Sequence, residues 1–143
     1  METATDSNLT LQESFNNAEV YVVESKPVAV VKAIGSYITI EEFKKIFNKI
    51  GEIVVKKGIK KLVFDKRALN VFHQPSMEWY FVEWKEKMFD LGLKTHRKIL
   101  PEDDVFRQSV KIGRDQINKK YPEGKFHEMD IQYFENLADA IEK

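Results

Sequence analysis

Apolar residues recur at three- and four-residue spacing along several segments of the chain, which is the spacing of one face of an α-helix. The clearest segment predicts a helix from Thr39 to Lys57, with Glu42 placed to complete a capping box and Gly58 placed as the C-terminal cap. The same criterion predicts three further helices, over Pro75 to Leu91, Glu102 to Tyr121 and Asn136 to Lys143. The chain therefore carries four helical segments separated by shorter apolar runs.

These short apolar runs predict β-strands. Val20 to Val23 and Val28 to Ile34 flank a Ser-Lys-Pro turn and predict an antiparallel hairpin. Further strands are predicted over Lys61 to Asp65, Leu93 to Leu100 and Lys125 to Tyr133. Strands that alternate with helices pair in parallel through right-handed crossovers. The predicted fold is α/β, with a mixed, mostly parallel five-stranded sheet, four helices and the order β-β-α-β-α-β-α-β-α.

Composition bounds the classes of function. The 143 residues fit one domain, with residues 1–17 as a flexible N-terminal tail and residues 18–143 as the folded unit. Lysine and arginine number 23 and so do the acids, and this balance gives no general attraction to nucleic acid. No apolar run approaches the roughly 20 residues of a membrane span. With no cysteine in the chain, we expect a cytoplasmic protein without disulfides.

The strand from Lys61 to Asp65 and the helix from Pro75 enclose the most informative loop. Ligands of open α/β sheets bind at the carboxyl ends of strands, so Asp65 and Arg67 are candidates to orient a ligand and to hold an anion. Alternatively, Asp65 satisfies loop N–H groups and Arg67 lies on the surface. His73 and Ser76 form a catalytic site only if Asp65 converges with them. The sequence predicts no catalytic residue, no metal site and no cofactor.

The predicted strand from Leu93 to Leu100 has an unusually polar middle. Lys94, His96 and Lys98 alternate with Thr95 and Arg97, whereas central parallel strands are normally apolar throughout. Either the strand face is exposed or its polar groups line a site. In the second case Arg97 is a candidate anion contact.

The helix from Pro75 to Leu91 has more aromatic residues than one buried face requires. Trp79 and Phe89 lie off the stripe that includes Phe81 and Trp84. Three explanations remain open: burial within the monomer, a dimer or partner interface, and the wall of an apolar pocket.

Two passages resemble the STAS domain, and in detail its divergent sporulation-stage-II-AA-like branch, which is also similar to CRAL-TRIO lipid-binding domains. One is Leu62 to Arg67, a strand that ends in Asp-x-Arg, and the other is Asp130 to Ile141. The resemblance implies a STAS-like fold and a non-enzymatic module. In anti-sigma-factor antagonists a phosphoacceptor Ser or Thr directly follows the strand's Asp. Here Lys66 follows Asp65, and the next aliphatic hydroxyl is Ser76, which is either a phosphoacceptor or a helix-capping serine.

The predicted function is a non-enzymatic STAS-like protein-interaction or regulatory module that binds a protein partner or itself as a homodimer. The alternative is a carrier or sensor of a small apolar or lipid-like ligand, with a lining of Phe72, Trp79, Phe81 and Trp84. An apolar cavity would favour this alternative. A hydrolase is the third class, and it requires His73 and Ser76 within hydrogen-bonding reach and an acid behind them.

Overall fold

The computed structural model describes residues 8–143, which contain a six-stranded sheet whose strands lie side by side in chain order. The strands are β1 Leu9–Ser14, β2 Ala18–Val23, β3 Val28–Ala33, β4 Lys61–Asp65, β5 Thr95–Ile99 and β6 Asp130–Phe134. The pairs β1/β2 and β2/β3 are antiparallel, and the pairs from β3 to β6 are parallel. The α/β class and the mixed sheet are confirmed.

The described residues also form four helices. They are α1 Ile40–Lys57, α2 over residues 74–90, α3 Asp104–Lys120 and α4 Leu137–Glu142. Helix α2 is continuous but changes its hydrogen bonding in the middle: Gln74–Trp79 and Lys85–Asp90 are α-helical, and Tyr80–Trp84 is a π-helical turn.

Helix α1 begins and ends where its sequence predicts, but only the Thr39 half of the predicted capping box forms, because the Glu42 carboxylate bonds to Asn17. The Thr39 side chain accepts a hydrogen bond from the Glu42 backbone N–H at 3.2 Å. Gly58 ends the helix at φ 65°, a left-handed conformation that glycine adopts without steric cost. The Glu42 carboxylate accepts a hydrogen bond from the Asn17 side chain at 2.8 Å, so it ties the helix start to the loop before β2.

The order of the strands determines which side of the sheet each helix covers. Right-handed crossovers between successive neighbouring strands place α1, α2 and α3 on the same side. The main core lies there, between these helices and the sheet. Helix α4 covers the opposite side with Leu137, Ala140 and Ile141. Because the strand order never reverses within the described residues, the sheet has no topological switch point, the usual place for a ligand crevice.

Two elements differ from the sequence prediction. Residues 9–14, predicted as part of a flexible tail, form the edge strand β1, so the sheet has six strands and not five. Residues 1–7 of that predicted tail lie outside the described residues. The predicted strand from Lys125 to Tyr133 is shorter than expected, because Lys125–Glu128 forms a 3₁₀ turn before β6.

The lengths and compositions of the helices also bear on membrane insertion. Within residues 8–143, no helix combines the length and the apolar character needed to cross a bilayer.

Candidate functional site

Strand β5 crosses the core with three consecutive polar residues that are all buried. His96 is 1% exposed, Arg97 3% and Lys98 0%. Of the two alternatives for this strand, an exposed face is therefore ruled out, because neighbouring strands and helices cover both sides. His96 and Lys98 pair in register with Leu62 and Phe64 and lie with them on the side covered by α1, α2 and α3.

Arg97 lies on the opposite side of the sheet. Its Nη2 donates to the Asp130 carboxylate at 2.9 Å and to the Lys143 carbonyl at 2.9 Å. Its Nη1 donates to the carbonyls of His96 and Asp130 at 3.0 and 2.9 Å. The side chain thus joins β5, β6 and the residue after α4. These contacts already occupy the two terminal nitrogens that the sequence offered as an anion contact.

The π-helical turn in α2 brings a lysine to the same place as Lys98. The Lys85 backbone N–H bonds to the Tyr80 carbonyl five residues earlier, and Tyr80, Phe81, Trp84 and Lys85 are all buried. The Lys85 side chain is 0% exposed. Such π-helical turns inside α-helices occur often at functional sites.

Lys85 and Lys98 meet over the same two aromatic rings. The Lys85 Nζ lies 3.6 Å from the centre of the Phe81 ring and 4.6 Å from that of Tyr80. The Lys98 Nζ lies 4.7 and 4.9 Å from the same two centres. Arg114 of α3 approaches Phe81 from another side, with its guanidinium carbon 5.6 Å from the ring centre. The two amines therefore share one small space inside the core.

We refer to this group as the cation cluster; its members are Lys66, Lys85, His96, Lys98 and Arg114. Four nitrogens of the cluster have no hydrogen-bond partner in the protein although they are buried: Lys85 Nζ, Lys98 Nζ, His96 Nε2 and Arg114 Nε. Buried polar groups in proteins are nearly always hydrogen-bonded, so four unpartnered nitrogens in one place require an explanation.

Burial and repulsion between neighbouring cations both lower the pKa values of the cluster's lysines and of His96. Burial, followed by the charge of Arg114, lowers the pKa of Lys66 from 10.5 to about 8. Burial, followed by neighbouring cations, holds the pKa values of Lys85 and Lys98 well below 10.5. The same causes hold the pKa of His96 well below 6.5, so its ring is neutral near pH 7. No carboxylate contributes to any of these shifts.

A cavity of about 50 Å³ opens beside the cluster at the carboxyl end of β4, and we call it the β4 cavity. Its polar lining consists of Lys66, His73, Ser76 and Tyr80, and aromatic rings including Phe43, Phe64, Phe72 and Phe106 form much of the remainder. Lys66 belongs to both features, and the Tyr80 ring separates the cavity from the amines of Lys85 and Lys98. The cavity therefore adjoins the cluster at Lys66 and at the Tyr80 ring.

His73 and Ser76 meet at the wall of the β4 cavity. The His73 Nδ1 and the Ser76 Oγ are 2.8 Å apart, which is within hydrogen-bonding reach. No carboxylate among residues 8–143 bonds to His73. Ser76 is 5% exposed, so a kinase could reach its hydroxyl only if the start of α2 opened. The phosphoacceptor role of Ser76 stays a prediction.

Asp65 and Arg67 pair with one another. The Asp65 carboxylate accepts hydrogen bonds from the Arg67 Nε at 2.9 Å and Nη2 at 2.7 Å, and from the Arg67 backbone N–H at 3.1 Å. The pair closes the turn after β4 and does not line the β4 cavity. Its geometry fits the alternative in which Asp65 satisfies a loop N–H group.

The aromatic residues of α2 serve mainly the monomer core. Phe81 and Trp84 are buried, and the Trp84 Nε1 donates to the Phe47 carbonyl at 2.7 Å. Trp79 and Phe89 are partly buried against the same core, with the amines of Lys44 and Lys94 over their rings. This geometry supports burial within the monomer. Of the residues proposed to line an apolar pocket, Phe72 lies on the β4 cavity, and Trp79, Phe81 and Trp84 do not.

Sequence reasoning missed most of the cation cluster. It singled out the polar middle of β5 but selected Arg97, which faces away, over Lys98. Lys85 reads as a surface lysine in regular helical periodicity, because the π-helical turn that places it in the core leaves no pattern in the sequence. Lys66 was visible only as the residue that replaces the phosphoacceptor of the resembled family.

Compared with protein-family models, curated proteins and solved structures, the chain matches none. The resemblance to STAS domains therefore stays a prediction from the sequence. Among the described residues, no group of three or more His, Cys, Asp or Glu side chains could hold a metal ion. The chemistry available at the site is that of lysine, arginine, histidine and tyrosine.

Proposed function

We propose that this chain is a non-enzymatic regulatory module that senses a small ligand in the β4 cavity. The observation that carries the proposal is the cavity itself, where apolar walls surround a few convergent polar groups. Ligand sites are generally built in this way. Its place also fits the resemblance to STAS domains, because the phosphoacceptor of the anti-sigma-factor antagonists lies at the corresponding junction of strand and helix.

The size of the cavity restricts the ligand. A volume of about 50 Å³ is far below the roughly 300–1,000 Å³ of pockets that enclose drug-sized molecules. An acyl chain does not fit. The ligand is a small molecule, or a longer molecule that inserts one compact end and leaves the remainder outside.

The loop between β4 and α2 gives the module a means of response. Its residues Leu69 and Phe72 line the cavity, whereas Ala68 and Asn70 are exposed on the outside of the same loop. A bound ligand adds contacts to the inner side and so holds the loop in one conformation. A protein partner that binds the outer side then responds to the ligand, since a ligand shifts an equilibrium by its differential affinity for the two states.

The contact between His73 and Ser76 raises a second candidate, a serine hydrolase. A serine nucleophile needs a base that is itself oriented by a third group. Here Asp65, the acid that the hypothesis requires, is hydrogen-bonded to Arg67. His73 and Ser76 are also three positions apart at the start of one helix, where local side-chain contacts are common. We expect a fluorophosphonate probe to leave Ser76 unmodified, and labelling of Ser76 would favour the hydrolase.

The test of ligand sensing uses three small probes: acetamide, acetate and inorganic phosphate. Each is titrated into the ¹⁵N-labelled chain, and amide chemical shifts are followed by NMR. We expect at least one probe to shift the amides of residues 66–77 in a saturable way. Ser76→Met fills the cavity and should abolish this response, and Ser36→Met, at an exposed serine, should preserve it.

Two results would overturn the proposal. One is that none of the three probes changes the amides of residues 66–77. The other is that Ser76→Met responds like the wild type.

A further inference from the structure

The cation cluster lacks a component that the protein itself does not supply. Lys85 and Lys98 are both fully buried, with no acceptor for either amine. Buried charges in proteins are generally paired or bound to an ion, and an unpaired buried amine instead has a lowered pKa, as Lys85 and Lys98 both have. In contrast, the buried guanidinium of Arg97 has a carboxylate partner in Asp130.

The charged groups that act on the two amines are all cations, and the contact between the amines raises the pKa of Lys85 while it lowers that of Lys98. Lys85 is repelled by Arg114 and Lys66, and Lys98 is repelled by Lys85, Lys66 and Arg114. An aromatic face provides a weak attraction, but two amines share the same faces of Phe81 and Tyr80. A group that carries negative charge and several acceptor oxygens would satisfy the amines and offset their repulsion at the same time.

The β4 cavity adjoins the amines through two of its lining residues, Lys66 and Tyr80. Lys66 lines the cavity and is 7% exposed, so its amine is the first charge that an entering anion meets. Tyr80 also lines the cavity, and its ring contacts both deeper amines. Burial raises the pKa of Tyr80 well above 10, so its hydroxyl stays protonated, and it can donate to an oxyanion when the His96 Nδ1, 3.4 Å away, carries the ring proton and donates to it. All these groups are donors, as an oxyanion requires.

We propose that the ligand of the β4 cavity carries a compact oxyanion, a phosphate or a carboxylate, which binds between Lys66, Lys85 and Lys98. This inference rests on the proposed ligand sensing and adds the chemical class of the ligand. The amine nitrogens donate charge-assisted hydrogen bonds to the oxyanion, and the nearby Arg114 and neutral His96 add electrostatic and polar stabilisation. Binding is non-covalent. The bound anion raises the pKa values of the lysine amines, and the amines therefore take up protons from solvent when it binds.

The experiment measures anion binding to the full-length chain and to methionine variants of the cluster. Isothermal calorimetry and thermal melting are recorded with inorganic phosphate, acetate and neutral acetamide, at constant ionic strength set with chloride. We expect phosphate to bind and to raise the melting temperature. Acetate, which is nearly isosteric with acetamide, should bind more tightly than acetamide because it alone carries charge. Whichever of phosphate and acetate binds more tightly indicates whether the natural ligand carries a phosphate or a carboxylate.

Lys98→Met and Lys85→Met should each weaken oxyanion binding by roughly tenfold or more, because a hydrogen bond to a charged group is lost. Lys87→Met is the matched control, since Lys87 is exposed on the same helix two residues from Lys85, and it should leave binding unchanged. If Lys98→Met or Lys85→Met fails to fold, Lys66→Met at the cavity wall is tested in its place.

The inference is overturned if acetamide binds as tightly as acetate and phosphate does not bind. It is also overturned if Lys98→Met, or Lys66→Met in its place, binds both anions like the wild type. Ligand sensing would survive either result provided that a probe still shifts residues 66–77. Oxyanion binding that leaves those residues unperturbed would instead overturn the β4 cavity as the site.

Discussion

Arg97 and Lys98 are neighbours on one strand, both are buried, and they have opposite surroundings. On the α4 side of the sheet, Arg97 donates to a carboxylate and to backbone carbonyls of three residues. On the other side, the Lys98 amine faces Lys85 and two aromatic rings and has no acceptor. The first arrangement gives both terminal guanidinium nitrogens acceptors within the chain, although the Arg97 Nε has none, and we expect it to serve stability. The second leaves the Lys98 amine without a carbonyl or carboxylate acceptor, and the proposed oxyanion site rests on this difference.

Replacing Arg97 should have the largest effect. Arg97→Met removes the hydrogen bonds that hold β5, β6 and Lys143 together and leaves the Asp130 carboxylate without its ion-pair partner. We expect unfolding by urea to show a loss of about 3 kcal/mol, near the lower end of the range for breaking a buried ion pair because Asp130 is half-exposed. Phosphate binding should persist in the folded protein. A loss of binding with unchanged stability would reverse the roles of the two residues.

Replacing Lys98 by methionine should change the free energy of unfolding in the opposite direction. Lys98→Met replaces an uncompensated buried amine with an apolar chain of similar length. In chloride alone we expect a gain of about 1–4 kcal/mol in the free energy of unfolding, the range seen when buried ion pairs are replaced by well-packed apolar residues. Urea unfolding without phosphate measures it, with Lys87→Met as the control. A clear loss of stability would mean that Lys98 has a structural partner after all.

Lys66 should make stability depend on pH. Its pKa is about 8 in the folded chain and 10.5 when unperturbed, so between these values the unfolded chain holds more protons than the native one. Stability without phosphate should therefore rise as the pH increases from about 8 to 10.5, and the penalty of burying the charge is fully present below pH 8. Thermal melts across this range measure the slope, and Lys66→Met should reduce it. A slope that Lys66→Met leaves unaltered would remove Lys66 as its source.

Asp130→Asn should have the smallest effect. Hydrogen bonds from Arg97 and Gln132 hold the pKa of Asp130 below its usual value, but the side chain is 53% exposed and water screens the pair. We expect a loss of about 0.5 kcal/mol at pH 7 in urea unfolding. A loss as large as that of Arg97→Met would show that the carboxylate, and not the backbone carbonyls, holds the guanidinium.

Much of the secondary structure could be predicted because local patterns encode it. Helix α1 was predicted with its bounds and caps, since Thr39, Gly58 and the apolar spacing between them all lie within the helix or beside it. The edge strand β1 was missed because Leu9 and Leu11 give a weak pattern. Only pairing with β2, through a bulge between Leu11 and Glu13, makes that segment a strand.

The candidate site could be predicted in place but only partly in content. The junction after Asp65, together with Phe72, His73 and Ser76, was selected from the sequence, and three of these four residues line the β4 cavity. Alternation along β5 placed Lys98 and Arg97 on opposite sides. It could not show which side packs against a carboxylate and which against other lysines, because those partners come from distant segments.

The sequence by itself determined the order of the helices and of the strands from β2 onward, the caps of α1 and the unusual polarity of β5, because periodicity and capping act over a few residues. Tertiary structure alone decided that Lys85 points into the core, that Arg97 is paired and that Lys98 is not. The physical reason is that the cost of a buried charge depends on its whole three-dimensional surroundings. Here a π-helical turn, three crossovers on one side of the sheet and a small helix on the other set those surroundings.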